Sequence, residues 1–134
     1  MNVFISYAQA DEEWAQSLRS GLAKAGFEVS DPAGEVAAGE NLHLEIGKAL
    51  KRADAMVVVL SPDSASSRSV RAEIEYALGS SQFRDRLIPV LVKPTDNLPW
   101  ILRKQRFVRA SKDVAKTVRE IAGALNNARA AVAR

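Results

Sequence analysis

Two carboxylates, Glu73 and Glu75, lie in the stretch Ala55–Leu78, AMVVVLSPDSASSRSVRAEIEYAL, and only one of them is set for chemistry. At about 100° per residue, Val70, Ile74, Ala77 and Leu78 fall on one stripe of a helix. Glu73 lies just off that stripe, about 40° from Ala77, while Glu75 points well away towards water. The helix follows an unbroken apolar run, Ala55–Leu60. Glu73 therefore falls at the rim of the core, beyond the C-terminal end of a buried strand, which is the edge where open α/β sheets bind ligands. The alternative is a flanking carboxylate bonded to a neighbouring lysine or arginine, since such groups are mostly exposed. Other chemistry has little to draw on. The chain has no cysteine and a single histidine, His43. Disulfides and thiolate metal sites are excluded, and a histidine metal cluster or a Ser-His-Asp triad lacks its parts. His43 reads as a surface or capping residue, and no metal site is expected. The segment Asp63–Ser69 lacks the glycines and lysine of a phosphate loop and reads as a loop ending in a helix cap, Ser67.

The elements that must position Glu73 follow from periodicity. The run Ala55–Leu60 is β-branched and continuously apolar, the pattern of a strand buried on both faces. Before it, Val3–Tyr7 reads as a first strand. Asp11 is a helix N-cap with Glu12 and Glu13 at the positive end, and Trp14, Leu18, Leu22 and Ala25 recur at helical spacing up to a C′ glycine, Gly26. A short strand, Phe27–Val29, leads into the loop Ser30–Glu40, where Asp31-Pro32, Gly34 and Gly39 supply turn chemistry. Asn41 caps a second helix with the stripe Leu42, Ile46, Ala49 and Ala53, and Lys51 and Arg52 suit its negative end. After the Glu73 helix, Leu87–Val92 is a fourth strand. Its Pro89 cannot donate to a ladder, which argues for a sheet edge or a bulge. Trp100–Leu102 is a short apolar piece, Arg106–Val108 a weak fifth strand, and Ser111 caps a last helix carrying Val114, Val118, Ile121 and Leu125.

Strands alternating with helices imply a parallel sheet covered on both faces, and right-handed crossovers leave few topologies. The simplest is an α/β, flavodoxin-like, doubly wound sheet of five strands in the order 2-1-3-4-5. One domain over residues 1–126 accounts for the length of 134 residues, with 127–134 a helix extension or a frayed tail. Net charge is +3, with 47% apolar and 26% charged residues. That is an ordinary globule and no argument for nucleic acid, which needs a clustered basic patch. No apolar run approaches a membrane span, and MNVFISY is no signal peptide, so a cytoplasmic protein is the default. Arg84-Asp85-Arg86 and Arg103-Lys104-Gln105-Arg106 read as solvated charge runs, with binding of a pyrophosphate or acidic partner as the sharper alternative. Trp14 and Trp100 are most simply core.

Together these residues resemble a TIR (Toll/interleukin-1 receptor) domain, from Val3 to about Leu125. Val3–Tyr7 is similar to the family's first box, with the Asp11 helix start behind it. Phe27–Val29 followed by Asp31 is similar to its second strand and acidic residue, and Ser30–Glu40 to its BB loop, with Gly39 at the usual glycine. Ser67–Glu73 followed by Ala77 resembles its serine, aromatic, valine, glutamate and alanine pattern, while Ile88-Pro89-Val90 and Trp100 match later boxes.

The resemblance implies a catalytic role for Glu73 in cleaving NAD+ as substrate. Breaking the nicotinamide–ribose bond builds positive charge on the sugar, as in glycoside hydrolysis, and one carboxylate can stabilise that charge or take it up covalently. No metal, cofactor or histidine is required. Phe4, Ser6, Tyr7, Asp31, Ser69 and Tyr76 are the expected substrate-binding residues, and Pro32, Gly34 and Gly39 the assembly loop. Many active bacterial relatives carry tryptophan where this chain has Ser69, so Phe4, Tyr7, Tyr76 or a second subunit would have to provide the missing wall. The expected partners are NAD+ and other TIR domains, in a homo-oligomer or filament when active, within a signalling or defence pathway. A non-enzymatic TIR adaptor and a nucleoside hydrolase or deoxyribosyltransferase-like enzyme are the alternatives.

Overall fold

The computed structural model describes the chain except residues 33–40, 84, 97–101, 103–106 and 134, and describes no side chain at 43 or 128–133. The strands are β1 (Asn2–Ser6), β2 (Glu28–Ser30), β3 (Ala55–Leu60), β4 (Leu87–Leu91) and β5 (Val108–Arg109). The helices are α1 (Glu12–Lys24), α2 (Leu42–Arg52), the single turn α3 (Pro62–Ala65), α4 (Arg68–Leu78) and α5 (Val114–Ala133). All strand pairs are parallel, in the order β2-β1-β3-β4-β5. This is the expected doubly wound sheet. β3 is buried along its whole length in the middle of it.

The strand pleat sorts the core into two layers. Val3, Ile5, Val57, Val59 and Val90 pack with Leu18 and Leu22 of α1 and with Val118, Ile121 and Leu125 of α5. Phe4, Met56, Val58 and Leu60 pack on the other face with Ala49 and Leu50 of α2 and with Val70, Ile74 and Ala77 of α4. Ser6, two residues beyond Phe4, thus belongs by parity to the α2/α4 layer, and it is buried there.

Several local expectations shift. Asp11 makes no side-chain cap on α1; its carboxylate accepts from Ser61 instead, so a tertiary bond displaces the local one. Ser61–Ser67 is no plain loop. Pro62 opens the one-turn α3 under a reciprocal capping box between Ser61 and Ser64. Ser67 does cap α4, accepting from Val70 N at 3.2 Å, and Asn41 caps α2, accepting from Leu44 N at 3.2 Å. At α5 the cap is Asp113, which accepts from Lys116 N at 3.2 Å, while Ser111 donates to the Asp113 carbonyl. β2 starts at Glu28 because Phe27 N is still bonded back to Leu22 O of the helix exit. Pro89 pairs in register with Val58 of β3, and β5 pairs only with Val90 and Leu91. The outer side of β4 is therefore open at Pro89 among the described residues, a local edge within an interior strand. Gly34, Gly39, Trp100, Arg84 and Arg103–Arg106 lie outside the described residues.

Candidate active site

Glu73 sits in the second turn of α4, on the side facing the sheet, and is 9% exposed. The helix gets it there by the same angle that buries Ile74 and Ala77 and leaves Glu75 exposed. The end of β1 receives it, where Ser6 donates its hydroxyl to Glu73 Oε1 at 2.8 Å. Around this pair runs a cleft of about 260 Å³ at the C-terminal ends of β1 and β2. Phe4, Tyr7, Asp31, Pro32, Ser69 and Glu73 line it, joined by Leu42 and Ile46 of α2, the β1 exit Ala8-Gln9, and Ser67.

The second polar knot of the cleft is Tyr7 with Asp31. The phenol donates to both carboxylate oxygens of Asp31, at 2.9 and 3.0 Å, and Arg19 of α1 stands 3.8 Å from Asp31 Oδ2. Asp31 is almost wholly buried. Burial first, then the bond to Asp31 and its charge, hold the Tyr7 hydroxyl protonated well above its ordinary range. Its ring is thereby fixed as one wall of the cleft.

Burial also acts on Glu73, pushing its carboxyl up to about 7. The Ser6 bond opposes this and the charge of Asp31 adds to it. At neutral pH the group divides between carboxylate and acid, unlike an exposed glutamate. Among the described lining residues it is one of two carboxylates, and Asp31, the other, is engaged by Tyr7 and Arg19; the pair suits a ligand that carries or develops positive charge.

Of the residues expected at the site, the structure brings Phe4, Ser6, Tyr7, Asp31, Ser69, Pro32 and Glu73 together. It keeps Tyr76 away. That ring, 39% exposed, lies edge-on to Phe83 with 6.1 Å between centroids, and it does not line the cleft. Three residues past Glu73, Tyr76 lies about 60° further round α4 from the buried stripe and is exposed. Sequence reasoning did not single out Ile46 and Leu42 as cleft residues, having assigned them to the core stripe. Leu42 is in fact 36% exposed, so the front of α2 stands open to the cleft. A larger cavity, about 420 Å³, opens at the other end of α4, where Asp85 is the one titratable lining residue among the described residues. It lacks the convergence of buried polar groups seen around Glu73.

Comparison with other proteins follows the same lines. The chain is similar to the TIR domain of the Toll-related receptor TRR-2 from Hydra magnipapillata, at 24% identity over 92% of this chain and 97% of that one, with a TM-score of 0.75. It is similar to a metazoan TIR-STING receptor from C. gigas solved with 2′,3′-cGAMP, at 25% identity over 92% of this chain but 38% of the receptor, with a TM-score of 0.77. The fold is also that of BcmB, a CMP N-glycosidase of Clostridium botulinum, at 17% identity over 91% and 98% of the two chains, TM-score 0.61. No curated protein sequence matches. Residues 3–125 match the TIR domain family as a whole, and the chain belongs to that family.

Proposed function

We propose that this TIR domain cleaves the nicotinamide–ribose bond of NAD+, with Glu73 as the catalytic residue. The observation that carries the reading is the buried Glu73 carboxylate, tied to Ser6 and facing a cleft at the ligand-binding edge of the sheet. When the bond between the sugar and the pyridinium nitrogen breaks, its electron pair goes to nitrogen and nicotinamide leaves neutral. The positive charge moves to the ribose, where ionised Glu73 stabilises it. Water then adds to the anomeric carbon and loses a proton, giving ADP-ribose, or a base nitrogen adds and gives a cyclic product. The cationic pyridinium itself favours the ionised form of Glu73 on binding. Tyr7, over the buried Phe4, supplies apolar ring surface in the absence of an aromatic at Ser69, and the loop at Pro32, Gly34 and Gly39 takes part in assembly with other TIR domains. The reading belongs to a signalling or defence role in the cytoplasm.

Ser69 also favours a second reading, a non-enzymatic adaptor acting through TIR–TIR contacts, because the residue leaves the nucleotide without a stacking face worth about 1 kcal/mol. Incubation of the purified protein with millimolar NAD+, reading released nicotinamide, separates the two. Release that is lost in Glu73→Gln supports the enzyme. No release at any protein concentration supports the adaptor. Release of base from CMP but not from NAD+ would point to nucleotide N-glycosidase chemistry.

A further inference from the structure

We propose that Ser6 is the positioning residue for Glu73: its hydroxyl holds Oε1 and leaves Oε2 as the oxygen that meets a bound sugar. The inference deepens the glycosidic reading of Glu73 and rests on it. Its basis is geometric. Ser6 is the last residue of β1, it is 1% exposed, and by strand parity with Phe4 its side chain enters the α2/α4 layer. The donor–acceptor distance of 2.8 Å to Oε1 is that of a strong hydroxyl–carboxylate bond. Strand and helix are each fixed by the core, Phe4 through its contacts beneath the cleft and α4 through Val70, Ile74 and Ala77. The hydroxyl therefore meets a carboxylate with little freedom to turn away.

Two consequences follow. A carboxylate pinned at one oxygen cannot rotate both oxygens into the cleft, so the remaining oxygen has a defined direction, as positioned catalysis requires. A hydroxyl donor also favours the ionised form of its acceptor. Burial and Asp31 push Glu73 towards the acid, and the Ser6 bond pulls against them. Among the described residues lining the cleft, Asp31 is the other charged side chain; the rest of these offer hydroxyl, amide or apolar groups. Ser6 is thus the cleft group that keeps a useful fraction of Glu73 charged near neutrality.

The test uses the whole chain with glutamate carboxyls labelled with carbon-13, the Glu73 signal being assigned by its loss in Glu73→Gln. In Ser6→Ala, which fits the buried space, the Glu73 midpoint should rise by about one unit. In Ser6→Thr, which keeps the hydroxyl, it should return towards the wild-type value. With NAD+, Ser6→Ala should lower kcat by about tenfold with KM nearly unchanged, and the acid limb of the rate should move up with the carboxyl midpoint. An unmoved Glu73 midpoint in folded Ser6→Ala, or an unchanged kcat despite a moved midpoint, overturns the proposal. A wild-type protein that releases no nicotinamide overturns the glycosidic reading instead, and the carboxyl titration still decides whether Ser6 sets the charge.

Discussion

Ser61, the first residue past β3, donates its hydroxyl to the buried carboxylate of Asp11, which ends the turn leaving β1. The bond spans the two central strands at the topological switch point, the gap where ligands commonly enter a sheet of this strand order. Here it is filled. Ser61 also caps α3, and Lys93, just past β4, approaches Asp11 Oδ1 to 3.7 Å. The cleft of Glu73 opens beside this knot, on the α2/α4 face, and Ala8 in its lining is held by a 2.8 Å bond from Asp11 N to its carbonyl.

Asp11→Ala should therefore destabilise the fold, because it removes a buried acceptor and leaves the Ser61 hydroxyl with no place for its proton. The expected loss is about 2 kcal/mol, read as a lower urea midpoint with an unchanged slope. Asp11→Asn keeps an acceptor oxygen for Ser61 and should lose less. Equal stability of the alanine variant and the wild type would show that the knot contributes nothing.

How far these features could be read from the sequence differs by the range of the interaction. The Glu73 rim position was legible, because a helical stripe is a local property and β3 is unmistakably apolar. The strand order followed from alternation and handedness. The Ser6–Glu73 bond was not legible, since it joins residues 67 positions apart through the β1–β3 pairing and the seat of α4. Asp11 shows the opposite failure. Followed by two glutamates it has every local mark of an N-cap, yet a serine fifty positions away takes its carboxylate. The one-turn α3 was within reach, as serine, proline and a serine three residues on are helix-start chemistry.

Glu73 makes two opposite predictions for pH. The proposed cleavage needs the carboxylate, so kcat/KM, which reports the free enzyme, should rise with pH through about 7. The kcat limb should lie lower, since bound pyridinium favours ionisation. Stability runs the other way. The folded carboxyl titrates at about 7 against 4.5 for the ordinary group, so the folded state holds its proton longer. Stability falls as pH rises between these values and is level above them. Glu73→Gln removes the penalty and keeps an acceptor for Ser6. It should melt higher than wild type at pH 8, by at most about 3 kcal/mol, and equal it near pH 4. A variant no more stable at pH 8 would show that Glu73 is already ionised without cost.

α1 and α5 approach each other tightly at Gly21. A Cβ there would meet Val118 Cγ2 at 2.5 Å, and valine has one favoured rotamer in a helix and cannot swing aside. Gly21→Ala gains helix propensity but should lose more to overpacking, a net cost of about 1–2 kcal/mol. Adding Val118→Ala should recover most of it. The pair is measured by urea unfolding as a double-mutant cycle, and a stabilising Gly21→Ala would show that the helices can part freely.

The two tyrosines separate cleft from surface. Tyr76→Leu should leave NAD+ cleavage unchanged and lose about 1 kcal/mol from the edge-on contact with Phe83. Tyr7→Phe keeps the ring but strips Asp31 of its phenol donor, so it should impair cleavage through the cleft wall while leaving Glu73 intact. Normal activity in Tyr7→Phe together with a loss in Tyr76→Leu would reverse the assignment.

Assembly supplies the last prediction. Leu44, 51% exposed, and Leu42, 36% exposed, lie together in the first turn of α2, directly after the loop expected to join one domain to the next. Leu42 also lines the cleft, while Leu44, two residues on, faces another flank of α2, so a neighbour seated over the whole start of α2 would cover Leu44 and reach the cleft entrance, where it could supply the wall that Ser69 does not. Activity per molecule should then rise with protein concentration. A head-to-tail contact of this kind gives open filaments unless its rotation closes a ring, and light scattering should rise alongside activity. Leu44→Asp should flatten both curves and leave Tm unchanged, because a half-exposed side chain contributes little to the monomer. The measurement is specific activity over a dilution of about two decades, with scattering at each point. A wild-type curve that is flat throughout, with a monomer at every concentration, would remove assembly from the mechanism even if NAD+ is cleaved.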